Sequence, residues 1–480
     1  MAMIRKILIP LIALMLILVG SELLYTQIFY PNDLRQYAPM GFFSDKPLLQ
    51  QAQVVYLGES SNHTFVVEDE DRRKVSDMVA DYFPALRCAD ITQDAAHAEV
   101  YYHLLRRIPE EAPVQTVVVT MNLRSMGPSW FDTGLESALQ KQLVLLKDQP
   151  NLLKRLLLGL KAYDHRTTEE CQKDLKEYWR QHPLEGNHAD VLGWADSVGG
   201  VGANFIKKYA FELGLEDNAL VRKFDEIAAL SKARGWNLVF HILPINLELS
   251  DSLVGTELRQ IIYRNRDLVK QHYEQMGVTV VDNVDLLPDS LFLDKDWPTE
   301  HFNERGRRMV AERIAQAVAP LHAGQYRPYE SIPRTPRYHY EHHCEDEVPW
   351  GGFKSLTFEK SYSGQRSSVI SSDDPFGTTL ELWTRNLPKG ITSVDVGCWL
   401  YQPSLRHDGK LALELSGSEH DGRWEGKPLQ ELNETTGRWV PINYTFELDS
   451  ALYKNPTIKI YVMNTTPTKI YVDDVVIDFR

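Results

Sequence analysis

A serine, an asparagine and a histidine stand where this sequence has the residue types and placement for nucleophilic chemistry. The apolar run Val54-Val55-Tyr56-Leu57 stops at Gly58-Glu59-Ser60-Ser61-Asn62. That run is β-branched and aromatic and too short for a typical helix, so it predicts a buried strand. Such a strand delivers Ser60 to the carboxyl end of a sheet, where open α/β sheets place their chemistry. A second run, Val114–Met121, ends at Asn122, and Trp297-Pro298-Thr299-Glu300-His301-Phe302-Asn303-Glu304-Arg305-Gly306 sets His301 at the opening of a helix. A serine hydroxyl is a weak nucleophile by itself; an imidazole with a pKa near ~6.5 is suited to take its proton at neutral pH. An asparagine amide can donate to a developing oxyanion. Each residue also has a plain reading: Ser60 as a turn residue, Asn122 as a cap, His301 as a structural histidine at a polar helix start.

In this order, the three blocks resemble those of the SGNH (GDSL-type) hydrolases. Glu59 replaces the usual Asp of the first block, and Met121 replaces the usual Gly before the Asn of the third. The resemblance implies Ser60 as nucleophile, His301 as general base, and Asn122 together with the Ser60 amide as oxyanion donors. Asn303 is expected to cap the closing helix, and Gly306 to permit close packing. The chain departs from the family at the orienting acid, because the position three residues before His301 is Pro298. Asp296 is ranked first for that role, above Glu300 and Asp294, with a Ser-His pair supported by a backbone carbonyl as a further reading. The family's Gly-containing second block has no clean match; Ala95 or Ala96 could offer a backbone N–H.

The elements that must position these residues alternate. After Val54–Leu57 come helices over Asp69–Tyr82 and Ala95–Ile108, the strand Val114–Met121, and a helix over Asp217–Arg234. Strands over Asn237–Ile245 and Val278–Asp282 and a helix over Arg307–Val318 complete the series. Alternation of this kind predicts a three-layer α/β/α sandwich with a parallel sheet over residues 51–322. Residues 125–215 read as a helical insertion, a lid or substrate-binding cap, with Leu152, Leu153, Leu156, Leu157 and Leu160 as one amphipathic piece.

At 480 residues the chain exceeds a single core and predicts two folded units plus an anchor. Arg5 and Lys6 precede the unbroken apolar run Ile7–Val19, extended by Leu23, Leu24, Tyr25, Ile28, Phe29 and Tyr30. That pattern predicts an uncleaved signal anchor over residues 1–30, with the bulk of the chain outside the cytoplasm. Residues 31–50 read as a connector. A net charge of −14 gives no basic footprint, so nucleic acid is not an expected partner. Cys88, Cys171, Cys344 and Cys398 form no CxxC pair and read as free thiols or at most one or two bridges. The sequon Asn62-His63-Thr64 lies too close to Ser60 for routine glycosylation.

Residues 323–350 read as a linker; the close-packed Tyr338-His339-Tyr340-Glu341-His342-His343-Cys344-Glu345-Asp346-Glu347 has metal-capable side chains but no standard ligand spacing. From 351 to 480 short alternating runs separated by Gly, Pro, Asn and Asp predict an antiparallel β-sandwich. Its last run, Ile470–Ile477, resembles the final strand of jelly-roll domains similar to carbohydrate-binding modules, in which Trp383, Trp399, Tyr401 and Trp424 would stack on sugars or fill the core. The combined expectation is a membrane-anchored serine esterase or O-acyltransferase acting on acylated, O-acetylated polysaccharide without metal or organic cofactor. The alternatives are a catalytically inactive glycan-binding or envelope-assembly protein, and a partner of a membrane acyltransferase.

Overall fold

Five short strands made chiefly of β-branched and aromatic residues build the sheet that carries Ser60. The structure, a computed structural model, describes residues 2–38, 50–132, 134–147, 160, 166–328, 338–345, 350–417 and 422–480. The strands are β1 (Val54–Gly58), β2 (Cys88–Thr92), β3 (Thr116–Met121), β4 (Asn237–Ile242) and β5 (Thr279–Asp282). They pair in parallel in the order β2-β1-β3-β4-β5. β1 and β3 are buried along their whole length, as strands covered on both faces must be. The strand order reverses between β1 and β3, and the gap beyond their carboxyl ends is where an open α/β sheet has room for a ligand. The fold is therefore the three-layer α/β/α arrangement expected from the alternation.

The helices differ in detail. Only Val75–Asp81 of the expected Asp69–Tyr82 is helical. Upstream, Asp69 accepts from Val66 N and Asp71 from Arg73 N, local bonds that compete with helix. Ala98–Arg106 starts at His97, whose Nδ1 accepts from Glu99 N. β2 and the long helix Thr256–Gln275 were not anticipated. The insertion contains the helices Thr168–Gln181, Val191–Val198 and Gly200–Tyr209. Leu152, Leu153, Leu156 and Leu157 lie outside the described residues, and Leu160 is exposed.

At the N-terminus, Ala2–Leu24 and Tyr25–Phe29 run into the helix Tyr30–Tyr37, so the expected connector begins as helix. Leu8–Tyr37 is long and apolar enough to cross a membrane. Its last turns join the α/β core: Tyr30, Leu34 and Ala38 are buried there, and Tyr30 donates to Leu145 O at 2.9 Å.

The chain divides into two units, Met1–Asn62 with Val75–Tyr329, and His63–Lys74 with Glu330–Arg480. The short stretch after Asn62 thus belongs to the second unit; there Asn386 Nδ2 donates to Glu68 O at 2.9 Å, and Arg72 donates to Val67 O at 2.6 Å and to Glu381 O.

That second unit is an antiparallel β-sandwich. One sheet contains β6 (His339–His342), β7 (Leu356–Thr357), β8 (Ser367–Ile370), β10 (Ser393–Tyr401), β13 (Trp439–Glu447) and β15 (Ile470–Phe479). The other orders β12 (Arg423–Pro428), β11 (Lys410–Ser416), β14 (Thr457–Met463) and β9 (Phe376–Trp383). Inward residues of both, such as Val394, Val396, Leu411, Leu413, Ile458 and Ile477, form one core, because side chains alternate across each strand. β6 corrects the linker reading in part: it pairs with β15, and His342 and Cys344 are buried. Residues 329–337 and 346–349 lie outside the described residues. None of the four cysteines is in a disulfide.

Candidate active site

Ser60 opens the short helix Ser60–His63 three residues after the last buried apolar side chain of β1, Leu57. The turn is tight at Gly58, where a Cβ would lie 2.8 Å from Asn62 Cβ and 3.1 Å from Thr92 Oγ1. Fully buried Asn62 fixes it, donating to Thr92 Oγ1 at 2.6 Å and Ser76 Oγ at 3.1 Å and accepting from Ser76 N at 2.8 Å. An amide committed this way is closed to glycosylation.

His301 comes from a two-armed loop. Phe292 and Phe302 form an antiparallel bridge, and Leu293 N donates to His301 O at 2.9 Å. This pairing sets Leu293 opposite His301 and brings the next residue, Asp294, to the ring: His301 Nδ1 lies 2.7 Å from Asp294 Oδ2, which Thr299 Oγ1 also reaches. On the other side, His301 Nε2 lies 2.9 Å from Ser60 Oγ. Asp296 is not at the imidazole: it sits exposed at the tip of the loop. The carboxylate at the ring is Asp294, placed behind Asp296 by the sequence reading, because it reaches across the paired arms rather than back along the chain. As expected, Asn303 caps the helix Glu304–Val318, accepting from Gly306 N at 3.1 Å. Gly306 is required at its place, since a Cβ would lie 2.8 Å from Phe302 Cβ.

Asn122 does not line the cleft at Ser60. Its Nδ2 donates to Glu300 Oε2 at 2.9 Å and to both oxygens of Glu59 at 3.3 Å, and its Oδ1 accepts from Arg124 N. Two buried carboxylates need donors, and they take both amide hydrogens. Arg124 completes this cluster with an ion pair to Glu300 at 2.9 Å, and Tyr209 donates to the other Glu300 oxygen. Burial pushes the Glu59 carboxyl up; the Arg124 guanidinium opposes that effect and the Glu300 carboxylate reinforces it. Burial also pulls Arg124 down, but Glu300 and Glu59 more than offset it and hold its pKa above the usual value. Glu300 is therefore part of the support under the site rather than the partner of the imidazole.

Ala95 lies on the cleft wall in the left-handed region at φ 57°, a conformation uncommon for non-glycine residues. Ala96 N donates to Gln93 O, whereas no hydrogen bond from Ala95 N is present among the described residues. Of the two backbone donors anticipated, Ala95 is the one open to the cleft.

The cleft measures about 520 Å³, in the usual range for small-molecule sites. Ser60, His301, Ala95, Trp130, Trp297, Arg124, Lys207 and Lys208 are on its wall, and the insertion supplies Leu175, Asn204 and both lysines. Arg124, Tyr209, Lys207 and Lys208 escaped the sequence reading. Arg124 alone left a trace there, two residues beyond the Asn122 already singled out.

The four sandwich aromatics do not share one platform. Trp399 and Tyr401 are on β10, Trp383 and Trp424 on strands of the other sheet. Trp399 stacks on Tyr362 at 3.6 Å, Tyr401 meets Trp439 at 5.7 Å, and Arg385 sits 4.5 Å over Trp383. Trp424, 48 % exposed, donates to Tyr461 OH. His339 and His343 pair with Asp478 and Asp474 at 2.7 Å each, and no cluster suited to a metal occurs among the described residues.

No family model matches the chain, and no curated protein sequence does. Among solved structures it is similar to a GDSL-like lipase from Bacteroides thetaiotaomicron, at 9% identity over 59% of this chain and 96% of that one, TM-score 0.29. It is also similar to the CBM22-1 xylan-binding domain of Paenibacillus barcinonensis Xyn10C, at 16% identity over 29% of this chain and 92% of that one, TM-score 0.22. A further xylan-binding CBM 22 domain matches at 15% identity over 31% of this chain and 97% of that one, TM-score 0.23.

Proposed function

We propose that this chain is a membrane-anchored serine esterase or O-acyltransferase of the SGNH type, acting on an acylated polysaccharide. One observation carries the reading: His301 bridges Asp294 Oδ2 at 2.7 Å and Ser60 Oγ at 2.9 Å. In this reaction His301 Nε2 takes the Ser60 proton as Oγ bonds to the acyl carbon, and the carbonyl oxygen becomes the oxyanion. Ala95 N–H offers it a donor. His301, held in the required tautomer by Asp294, then returns the proton to the leaving sugar oxygen as the ester C–O bond breaks. Water or an acceptor hydroxyl attacks the acyl-enzyme in the reverse sense. Arg5 and Lys6 ahead of the apolar run support an orientation with both folded units outside the cytoplasm.

The test is labelling of the full-length chain in nonionic detergent by a fluorophosphonate probe, with Ser60→Ala and His301→Ala as controls. Labelling absent from both variants is the expected result, and an unlabelled wild type would overturn the reading. A second reading, a glycan-binding protein without catalysis, is favoured by the commitment of Asn122 to Glu59 and Glu300; an unlabelled chain that still binds polysaccharide would establish it.

A further inference from the structure

The insertion brings charge to the cleft in a specific way. Asn204, Lys207 and Lys208 lie on the Gly200–Tyr209 helix with the i, i+3, i+4 spacing of one face, and all three line the cleft with Ser60 and His301. The helix ends at Tyr209, whose hydroxyl is anchored on Glu300, so the lysines are held at a fixed place beside the nucleophile. Neither has an ion-pair partner among the described residues. Basic residues are common in the last turn of a helix, where the dipole favours them. That tendency accounts for their charge but not for their facing a cleft instead of solvent.

Lys208 is half-buried, with its Nζ 4.3 Å from the centre of the Trp297 ring. Burial first, and then Arg124, lower its pKa to about 7, against the opposing pull of Glu300 and Glu59. Arg124 itself is committed to Glu300. Asp94, the one carboxylate on the wall among the described residues, is solvent-exposed. Trp297, 48 % exposed, presents an aromatic surface at the same rim, and such surfaces bind sugar rings through their apolar faces.

We propose that the cleft beside Ser60 selects an anionic glycan ester, with Lys207 and Lys208 binding its negative group and Trp297 lying against a sugar ring. The proposal rests on the esterase reading only for the word ester; the anion site stands on the lysines. The anion is a uronate carboxylate or a phosphodiester, chemistries that two lysines bind alike.

The test measures binding to the full-length chain in nonionic detergent, in a Ser60→Ala background so that esters persist. The probes are an O-acetylated oligogalacturonate, an oligo(glycerol phosphate) and an O-acetylated xylo-oligosaccharide of similar length. One or both anionic probes should bind about tenfold tighter than the neutral one, and which of them does so names the group. Adding Lys207→Gln and Lys208→Gln should abolish that preference, and the Lys207→Arg, Lys208→Arg pair should keep it, which separates lost charge from a misfolded helix. Equal binding of charged and neutral probes, or a preference that survives the glutamine pair, would overturn the proposal. Fluorophosphonate labelling of the wild type is read separately. An unlabelled chain that still shows a lysine-dependent preference removes the esterase reading and leaves the anion site standing.

Discussion

Glu59 and Glu300, which directly precede Ser60 and His301, meet at a single amide. Asn122 Nδ2 lies 3.3 Å from Glu59 Oε1 and 2.9 Å from Glu300 Oε2. The two segments that carry the proposed nucleophile and base, from opposite ends of the α/β unit, are thus tied together behind the cleft. Arg124 and Tyr209 close the same cluster. A proton-transfer pair separated by 2.9 Å depends on such a tie, because small displacements of reacting groups lower rates steeply.

The acid that orients His301 is tested by comparing Asp294→Asn with Asp296→Asn. An amide at position 294 can present an N–H to Nδ1 and favour the wrong tautomer, so turnover of 4-nitrophenyl acetate should fall by about 10³- to 10⁴-fold. Exposed Asp296 should tolerate the change, with a rate within about twofold of wild type. Equal effects at both positions would show that the loop does not hold Asp294 against the ring in solution.

Arg124→Met should be among the more destabilising single changes in the α/β unit. It leaves Glu59 and Glu300, both about 1% exposed, without their cation. Removing one partner of a buried charge pair costs about 3 to 5 kcal/mol. Adding Glu300→Gln to Arg124→Met should recover part of that loss, since one uncompensated charge disappears with it. Thermal unfolding of the two variants against wild type measures both effects; no recovery in the double variant would mean that the arginine stabilises by packing alone.

The cluster also makes a prediction about pH. Because the Glu59 carboxyl is raised above its ordinary value of 4.5 in the folded chain, the native state holds a proton that the unfolded chain has released. Stability from this group is therefore fully present below that ordinary value and is lost as pH rises through the higher native value. Glu59→Gln removes the titration. The difference in Tm between the variant and wild type should shift in the variant's favour between about pH 5 and about pH 8. A constant difference would place Glu59 in the ordinary carboxylate range.

The sequence made the order of blocks visible because each lies at a boundary that local chemistry marks: β1 and β3 are unbroken apolar runs, and Asn303 and Gly306 are a recognisable cap and close-packed turn. The approach of Asp294 to His301 is not legible in the sequence because it depends on the Phe292–Phe302 bridge, a pairing across ten residues that no periodicity announces. The sequence points Asn122 at an oxyanion because the demand on it from Glu59 and Glu300 appears only once β1, β3 and the His301 loop meet. Lys207, Lys208 and Tyr209 were hidden for the same reason. They sit on a helix within an insertion whose face toward the cleft is polar, so no apolar stripe announces which side matters. β6 reads as linker in the sequence because its four residues, His339–His342, are polar and alternate weakly; pairing with β15, not composition, makes them a strand.

Gly58 is the residue on which the placement of Ser60 most directly depends. Its φ is ordinary, so alanine meets no backbone strain there; the obstacle is contact, with a Cβ 2.8 Å from Asn62 Cβ, 3.0 Å from Tyr56 Cε1 and 3.1 Å from Thr92 Oγ1. Asn62 cannot give way without loosening its bonds to Thr92 and Ser76, and it lies two residues beyond Ser60 on the same helical turn. Gly58→Ala should therefore lower stability by about 1 to 3 kcal/mol, the usual effect of overpacking. It should also slow fluorophosphonate labelling by about 10²-fold, as a displacement near 1 Å does. Asn62→Gly in the same chain removes the contacting Cβ, so the Gly58→Ala, Asn62→Gly pair should lose less stability than the two single changes summed. Labelling at the wild-type rate in Gly58→Ala would show that Ser60 is positioned by something other than this turn.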